Sequence, residues 1–199
     1  MKISNGVKII TISGLDGSGK STQIEMLKNY LVSKGKKVFY FHAVQFSIAN
    51  KILKSRGEAS TRGVVKANWL QIIMRRIFLM VDLLRFKMLV RKLRGLKYDF
   101  LLSDRYFYDT IVNIYFLRRM DKKIRCKNFI IKPDLAIYLS INPENIMQRE
   151  RKPDQGIEYL MAKKNIFDKK FKKWNLNFID GNQDKEAIFN ELKELVDKL

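Results

Sequence analysis

Residues 14–21 read Gly14-Leu15-Asp16-Gly17-Ser18-Gly19-Lys20-Ser21, a complete P-loop, and both of its flanks suit it. Before it, Val7–Ile12 is a β-branched apolar run that reads as a buried strand. After it, apolar residues recur at helical spacing, which predicts a helix over Lys20–Ser33 stopped by Lys34-Gly35. A glycine-rich turn between strand and helix aims successive backbone N–H groups at one point, where the positive end of the helix dipole adds to them. Lys20, expected in a solvent-facing loop, then reaches the β/γ-phosphates of a nucleotide, and the Ser21 hydroxyl ligates Mg²⁺. Gly14, Leu15, Asp16, Gly17, Ser18, Gly19, Lys20, Ser21 and Thr22 are therefore the candidate nucleoside triphosphate site. The plain alternative, a glycine-rich turn with no ligand, leaves the matching strand and helix unexplained.

The 199 residues suffice for one cored α/β domain, expected to span 1–199 with no interior linker. With 46% hydrophobic residues and only 3 Pro and 10 Gly, global disorder is excluded. Met1–Gly6 is polar and Val7–Ile12 too short for a signal-peptide core, so cytoplasm is the expected location. One cysteine, Cys126 in a basic stretch, excludes an internal disulfide framework. With a single histidine, His42, transition-metal chemistry is not expected. The formal net charge of +20 has two readings: a polyanion partner with nonspecific nucleic-acid affinity, or a lysine-rich exterior on an enzyme that handles phosphates. The even spread of charge along the chain favours the second.

Strands and helices alternate. Further strands are predicted at Lys37–Phe41, Asp99–Asp104, Leu135–Ile141 and Leu176–Asp180, and further helices near Ser47–Lys54, over Val64–Arg94, over 108–120, from Asn142-Pro143-Glu144 and over Asp184–Lys198. Asn142 is the expected N-cap there, with Pro143 in the first helical position. The segment 55–63 reads as a polar loop. Such alternation predicts a parallel sheet covered on both faces, with the ligand at the strands' C-terminal ends. The long helix is apolar enough to be buried on more than one face, with Trp69, Phe78 and Phe86 read as core. Arg75, Arg76, Asp82, Arg85 and Lys87 interrupt it, so a core helix that also offers a dimer interface is expected rather than a membrane span.

Two further constellations bear on chemistry. Ser103-Asp104-Arg105-Tyr106 ends a buried strand with a carboxylate placed to organise Mg²⁺ and an arginine able to grip phosphate; alone it is a strand-end salt bridge. Arg149-Glu150-Arg151-Lys152-Pro153-Asp154 sets three cations before a Pro/Gly turn, as a lid over about 149–157 requires; alone it is a solvated helix end.

Taken in order, Gly14 to Thr22, Asp104-Arg105-Tyr106, the Asn142-Pro143-Glu144 helix with its arginine-rich sequel and Phe178-Ile179-Asp180-Gly181 resemble thymidylate kinases nearly end to end. The resemblance implies the P-loop nucleoside monophosphate kinase fold: a three-layer α/β/α sandwich on a five-stranded parallel sheet, an arginine lid and a homodimer packed through helices. It implies transfer of the ATP γ-phosphate to dTMP with Mg²⁺, held by Ser21 and Asp104. By that likeness Asp16 contacts the acceptor's sugar 3′-hydroxyl, Arg105 holds the phosphates being joined, and Lys20, Asp104, Arg105, Arg149 and Arg151 carry catalysis.

The departures fall on the acceptor side. Where the family shows Arg-Glu-Pro-Gly-Gly, this chain has His42-Ala43-Val44-Gln45-Phe46. The family's Ala-Asp-Arg is Val81-Asp82-Leu83, which leaves Arg75, Arg76 or Arg85 to substitute from neighbouring turns; Arg76 and Asn113 are the candidate acceptor contacts. The Ala-Tyr-Gln that reads thymine is Val112-Asn113-Ile114, and the lid's Asp-Arg pair is Asp154-Gln155. His42 is either a substrate ligand or a structural strand-end histidine, and Phe46 or a long-helix aromatic is placed to stack on a base. Two rivals stay open: a kinase of this fold with another nucleotide or nucleoside acceptor, and a nucleic-acid-binding P-loop ATPase.

Overall fold

In the computed structural model, residues 6–48, 69–118, 129–150 and 152–199 are described. Strands β1 (Lys8–Gly14), β2 (Val38–His42), β3 (Phe100–Asp104), β4 (Leu135–Ser140) and β5 (Asn177–Asp180) form one all-parallel sheet in the order β2-β3-β1-β4-β5. The helices are α1 (Lys20–Ser33), α2 (Ala43–Phe46), α3 (Trp69–Gly95), α4 (Phe107–Arg118), α5 (Pro143–Met147), α6 (Gly156–Lys170) and α7 (Lys185–Asp197).

Strands buried on both faces need apolar cover on both, and the sheet has two cores. Ile10, Ile12, Leu102 and Ile137 face α1 and α7, packing with Ile24, Leu27, Ile188 and Leu192. Ile9, Leu101, Ala136 and Tyr138 face the other layer, which holds Leu83 and Phe86 of α3, Ile111 and Val112 of α4, and Leu160 and Phe167 of α6. The expected α/β/α sandwich is therefore present.

The predicted helix Lys20–Ser33 has those bounds, and the strand ends move by at most two residues, with Asp104, Leu135 and Asp180 where they were expected. β1 runs on to Gly14 rather than stopping at Ile12, because pairing with β4 continues through Gly14 and Leu139. After β2 the chain turns at once into α2, four residues ahead of the helix expected near Ser47; residues 49–54 of that helix lie outside the described residues, as do the loop 55–63, the start of the long helix before Trp69, residues 119 and 120, Cys126 and Arg151. Asn142 stands at the N-cap of α5, but its side chain makes no capping hydrogen bond. By contrast Asp184 caps α7 through the Glu186 and Ala187 amides.

Two expectations are corrected. Helix α3 is buried on one face only, through Leu79, Asp82, Leu83, Phe86, Val90 and Leu93, while Trp69 is 73% exposed and not core. Helix α6 had no counterpart in the sequence reading. Its buried positions Tyr159, Leu160, Lys163 and Phe167 follow helical spacing, but one is a lysine, and Lys164, Lys169 and Lys170 dilute the apolar signal. No helix among the described residues is long and apolar enough to cross a membrane.

Candidate active site

Gly14 ends β1 where a side chain has no room: a Cβ there would stand 2.5 Å from the Leu139 carbonyl oxygen. Its amide donates to Asp109 Oδ1 of α4 at 3.3 Å, which ties the loop to the neighbouring layer. Gly19, at φ 95°, caps α1 in the left-handed region that glycine enters without penalty. Lys20 opens α1, and it is buried (4% exposed) rather than solvent-facing. Its ammonium donates to the Leu15 carbonyl and, at 3.1 Å, to Ser18 Oγ. Burial, seconded by the nearby Arg105, lowers its pKa to about 8 against the pull of Asp16, Asp109 and Asp104. Ser21 and Thr22 follow on the exposed side of the first helical turn.

Parallel pairing sets Ile12 of β1 opposite Asp104 of β3, so the end of β3 meets the loop. Ser21 Oγ donates to Asp104 Oδ2 at 2.5 Å, and Tyr40 Oη of β2 donates to the same oxygen at 3.4 Å. The other oxygen, Asp104 Oδ1, is buried without a partner among the described residues. A hydroxyl beside a carboxylate with an unused buried lone pair fits Mg²⁺, which takes one or two protein oxygens and fills its octahedron with phosphate and water. His42 pairs in register with Asp104, its Nδ1 buried and unpartnered among the described residues. Burial holds its imidazole below the usual range although Asp104 opposes this.

Arg105 takes φ 66°, left-handed backbone in a non-glycine residue, a strain of about 1–3 kcal/mol. Its amide donates to the Ile12 carbonyl at 3.1 Å, and Ser103 Oγ donates to the Arg105 carbonyl, so the turn is held from both sides. This aims the guanidinium across the loop into an ion pair with Asp16 Oδ1. Asp16 Oδ2 accepts from Tyr159 Oη of α6 at 3.1 Å and lies 3.6 Å from the Lys163 ammonium. Burial would raise the Asp16 pKa, but Arg105, Lys163 and Lys20 hold it far below the usual carboxylate range.

Asp109, Asn113 and Phe116 share one face of α4 at helical spacing. Asp109 engages the Gly14 amide, and Phe116 packs edge-on against Tyr159 at 5.1 Å. Asn113 stands between them, its Oδ1 buried and unpartnered among the described residues, whereas Ile114 is fully buried core. Arg149, after α5, crosses to the loop and donates to the Gly17 carbonyl at 2.6 Å.

The structure thus gathers Asp16, Lys20, Ser21, Asp104, Arg105 and Arg149 at one end of the sheet, with Asn113 beside them. Arg76 instead lies along a shallow groove of α3 with Ile73, Ile77 and Met80. Arg85 is taken up by Asp82 and the Phe46 carbonyl, both at 2.8 Å, and covers the Phe46 ring at 4.2 Å. Arg75, four residues ahead of Leu79 and seven ahead of Asp82, is half-buried, and burial lowers its pKa. Sequence reasoning missed Tyr40, Asp109 and Lys163, and it placed Tyr159 only after the basic segment, without its contact to Asp16. Asp109 follows Asp104 by five residues and was readable as a helix-start acid; Tyr40 and Lys163 carry no local signal.

A family model described as thymidylate kinase matches residues 12–197. The chain is 29% identical to the thymidylate kinase of Thermosipho africanus over 95% of this chain and 97% of that one. It is 24% identical to the probable thymidylate kinase 1 of Saccharolobus solfataricus over 96% and 97%. Among solved structures, thymidylate kinase from Candida albicans superposes with a TM-score of 0.69 at 17% identity, covering 97% of this chain and 92% of that one, which bears on the fold alone.

Proposed function

The chain belongs to the thymidylate kinase family, and from that premise we propose that it catalyses ATP + dTMP → ADP + dTDP through the residues gathered at the P-loop. The contact that carries the reading is Ser21 on Asp104, with Asp104 Oδ1 unused and the Arg105 guanidinium across the loop. The loop amides and Lys20 hold the β- and γ-phosphates of ATP. Ser21 and Asp104 hold Mg²⁺, which when bound neutralises charge on the phosphate oxygens. Asp16 accepts from the acceptor's 3′-hydroxyl, Arg105 holds the acceptor phosphate in line, and Arg149 brings positive charge over the transferring group. A loose phosphoryl transition state asks mainly for such positioning and charge. Arg151, outside the described residues, belongs to the same proposal.

ADP release screened over all nucleoside monophosphates and nucleosides tests this. Mg²⁺-dependent turnover with dTMP is expected. Turnover only with another acceptor would reassign the substrate; no acceptor-dependent turnover, beside salt-sensitive RNA binding, would favour the ATPase rival.

The proposal extends to a homodimer through α3. Leu70, Met74, Ile77, Val81, Leu84 and Met88 are all exposed and recur at alternating steps of four and three, the seam spacing of paired helices. Leu84→Glu should turn a dimer into a folded monomer in sedimentation; an unchanged mass would place the contact elsewhere.

A further inference from the structure

Lys163 is the buried cation that the reaction above leaves without a task. It sits on α6 at 7% exposure, where an ammonium is costly unless its charge and its N–H groups are used. It donates to Tyr159 Oη and lies 3.6 Å from Asp16 Oδ2. At least one of its three N–H groups has no partner among the described residues. Asp16 is already paired with Arg105 on Oδ1 and accepts from Tyr159 on Oδ2, and Lys163 acts on its charge from 3.6 Å, beyond a hydrogen bond. The Asp16 and Arg105 side chains remain 22% and 25% exposed, so the cluster opens towards a ligand.

We propose that Lys163 is a specificity-determining residue for the acceptor's sugar, donating to the same 3′-oxygen whose proton Asp16 accepts. A hydroxyl is donor and acceptor at once. A carboxylate and an ammonium set against each other read both capacities, where a carboxylate alone reads only the donor. Tyr159 joins the two side chains and fixes their spacing. The substrate class that follows is a nucleoside monophosphate with a free 3′-hydroxyl, and analogues lacking it are rejected. This rests on the kinase reading above, with dTMP as acceptor.

The test compares kcat/KM for dTMP and for 3′-deoxy-dTMP in wild type and Lys163→Met, with KM for ATP alongside. A hydrogen bond to a charged group is expected to change kcat/KM for dTMP by about 10–100-fold. Lys163→Met should lose that factor with dTMP, chiefly through KM, and lose little with the 3′-deoxy analogue, while KM for ATP stays within about twofold. Lys163→Arg should restore part of the discrimination. Lys163→Leu, which also removes the donor, carries the same comparison if the methionine variant does not fold. Equal losses with both acceptors, or none, would overturn the assignment while leaving the kinase reading standing. A wild type inactive on dTMP fails that reading instead.

Discussion

The donor half of the site and its acceptor half are built differently. Around the P-loop most polar groups answer one another, Lys20 with Leu15 and Ser18, Ser21 with Asp104 Oδ2, Gly14 with Asp109, Arg149 with Gly17, while Asp104 Oδ1, Ser13 Oγ and Gln23 Oε1 stay unpartnered among the described residues. Towards the proposed acceptor side, Asn113 Oδ1 and His42 Nδ1 are buried with no partner among the described residues, and Lys163 donates to Tyr159 Oη. Phosphates are the same in every nucleotide, so their cradle is set by backbone geometry and one short motif. An acceptor differs by base and sugar, and the pocket proposed for it would borrow side chains from β2, α4 and α6. Unpaired buried polar groups cost about 1–3 kcal/mol each, a cost that a ligand can remove.

The largest effect is expected at Lys20. Lys20→Ala should lower kcat by about 10²–10³ or more while circular dichroism shows the fold intact; near-wild-type turnover would mean the donor half is not where ATP is held. Next in size is Arg149. Arg149→Ala should lower kcat by about 10²-fold with little change in KM for ATP, since its charge is wanted after closure. Unchanged kcat would reduce the segment after α5 to a solvated helix end.

A smaller effect tests the burial of Lys20. With its pKa lowered to about 8, the free protein loses this cation as pH rises. If only the protonated form holds triphosphate, ATP affinity should fall about tenfold between pH 7 and 9, and flat affinity would contradict a buried lysine. The stability sign is opposite. The unfolded chain binds more protons between about 8 and the ordinary 10.5, so this group makes the fold more stable as pH climbs through that window.

The smallest effect sharpens the acceptor half. Asn113→Ala removes an orphaned oxygen, so the melting temperature should hold or rise slightly. Discrimination between dTMP and dUMP, expected at only about 10–200-fold in wild type where a pocket senses one methyl group, should narrow further. A marked loss of stability would show that Asn113 serves the fold and not the base.

How much of this was legible follows the same division. The P-loop, the strand-end Asp104-Arg105 and helix α1 are local: each depends on residues within a few positions, and glycine, β-branched runs and helical periodicity announce them. Helix α6 was not legible, because a buried lysine and its basic neighbours imitate a solvated segment. Nor was the contact of Tyr159 and Lys163 with Asp16, which lie more than 140 residues away along the chain.

From the sequence alone came the alternation of strand and helix, the phosphate-cradling loop, the carboxylate that accompanies it and the family resemblance, since these are patterns of neighbouring residues. Only the tertiary structure decided that Lys20 is buried, that α3 leaves an apolar seam uncovered, that Arg76 lines a groove of that helix with Ile73, Ile77 and Met80, and that α6 returns a lysine to Asp16. Burial and charge pairing are sums over elements distant in sequence, and no local window contains their terms.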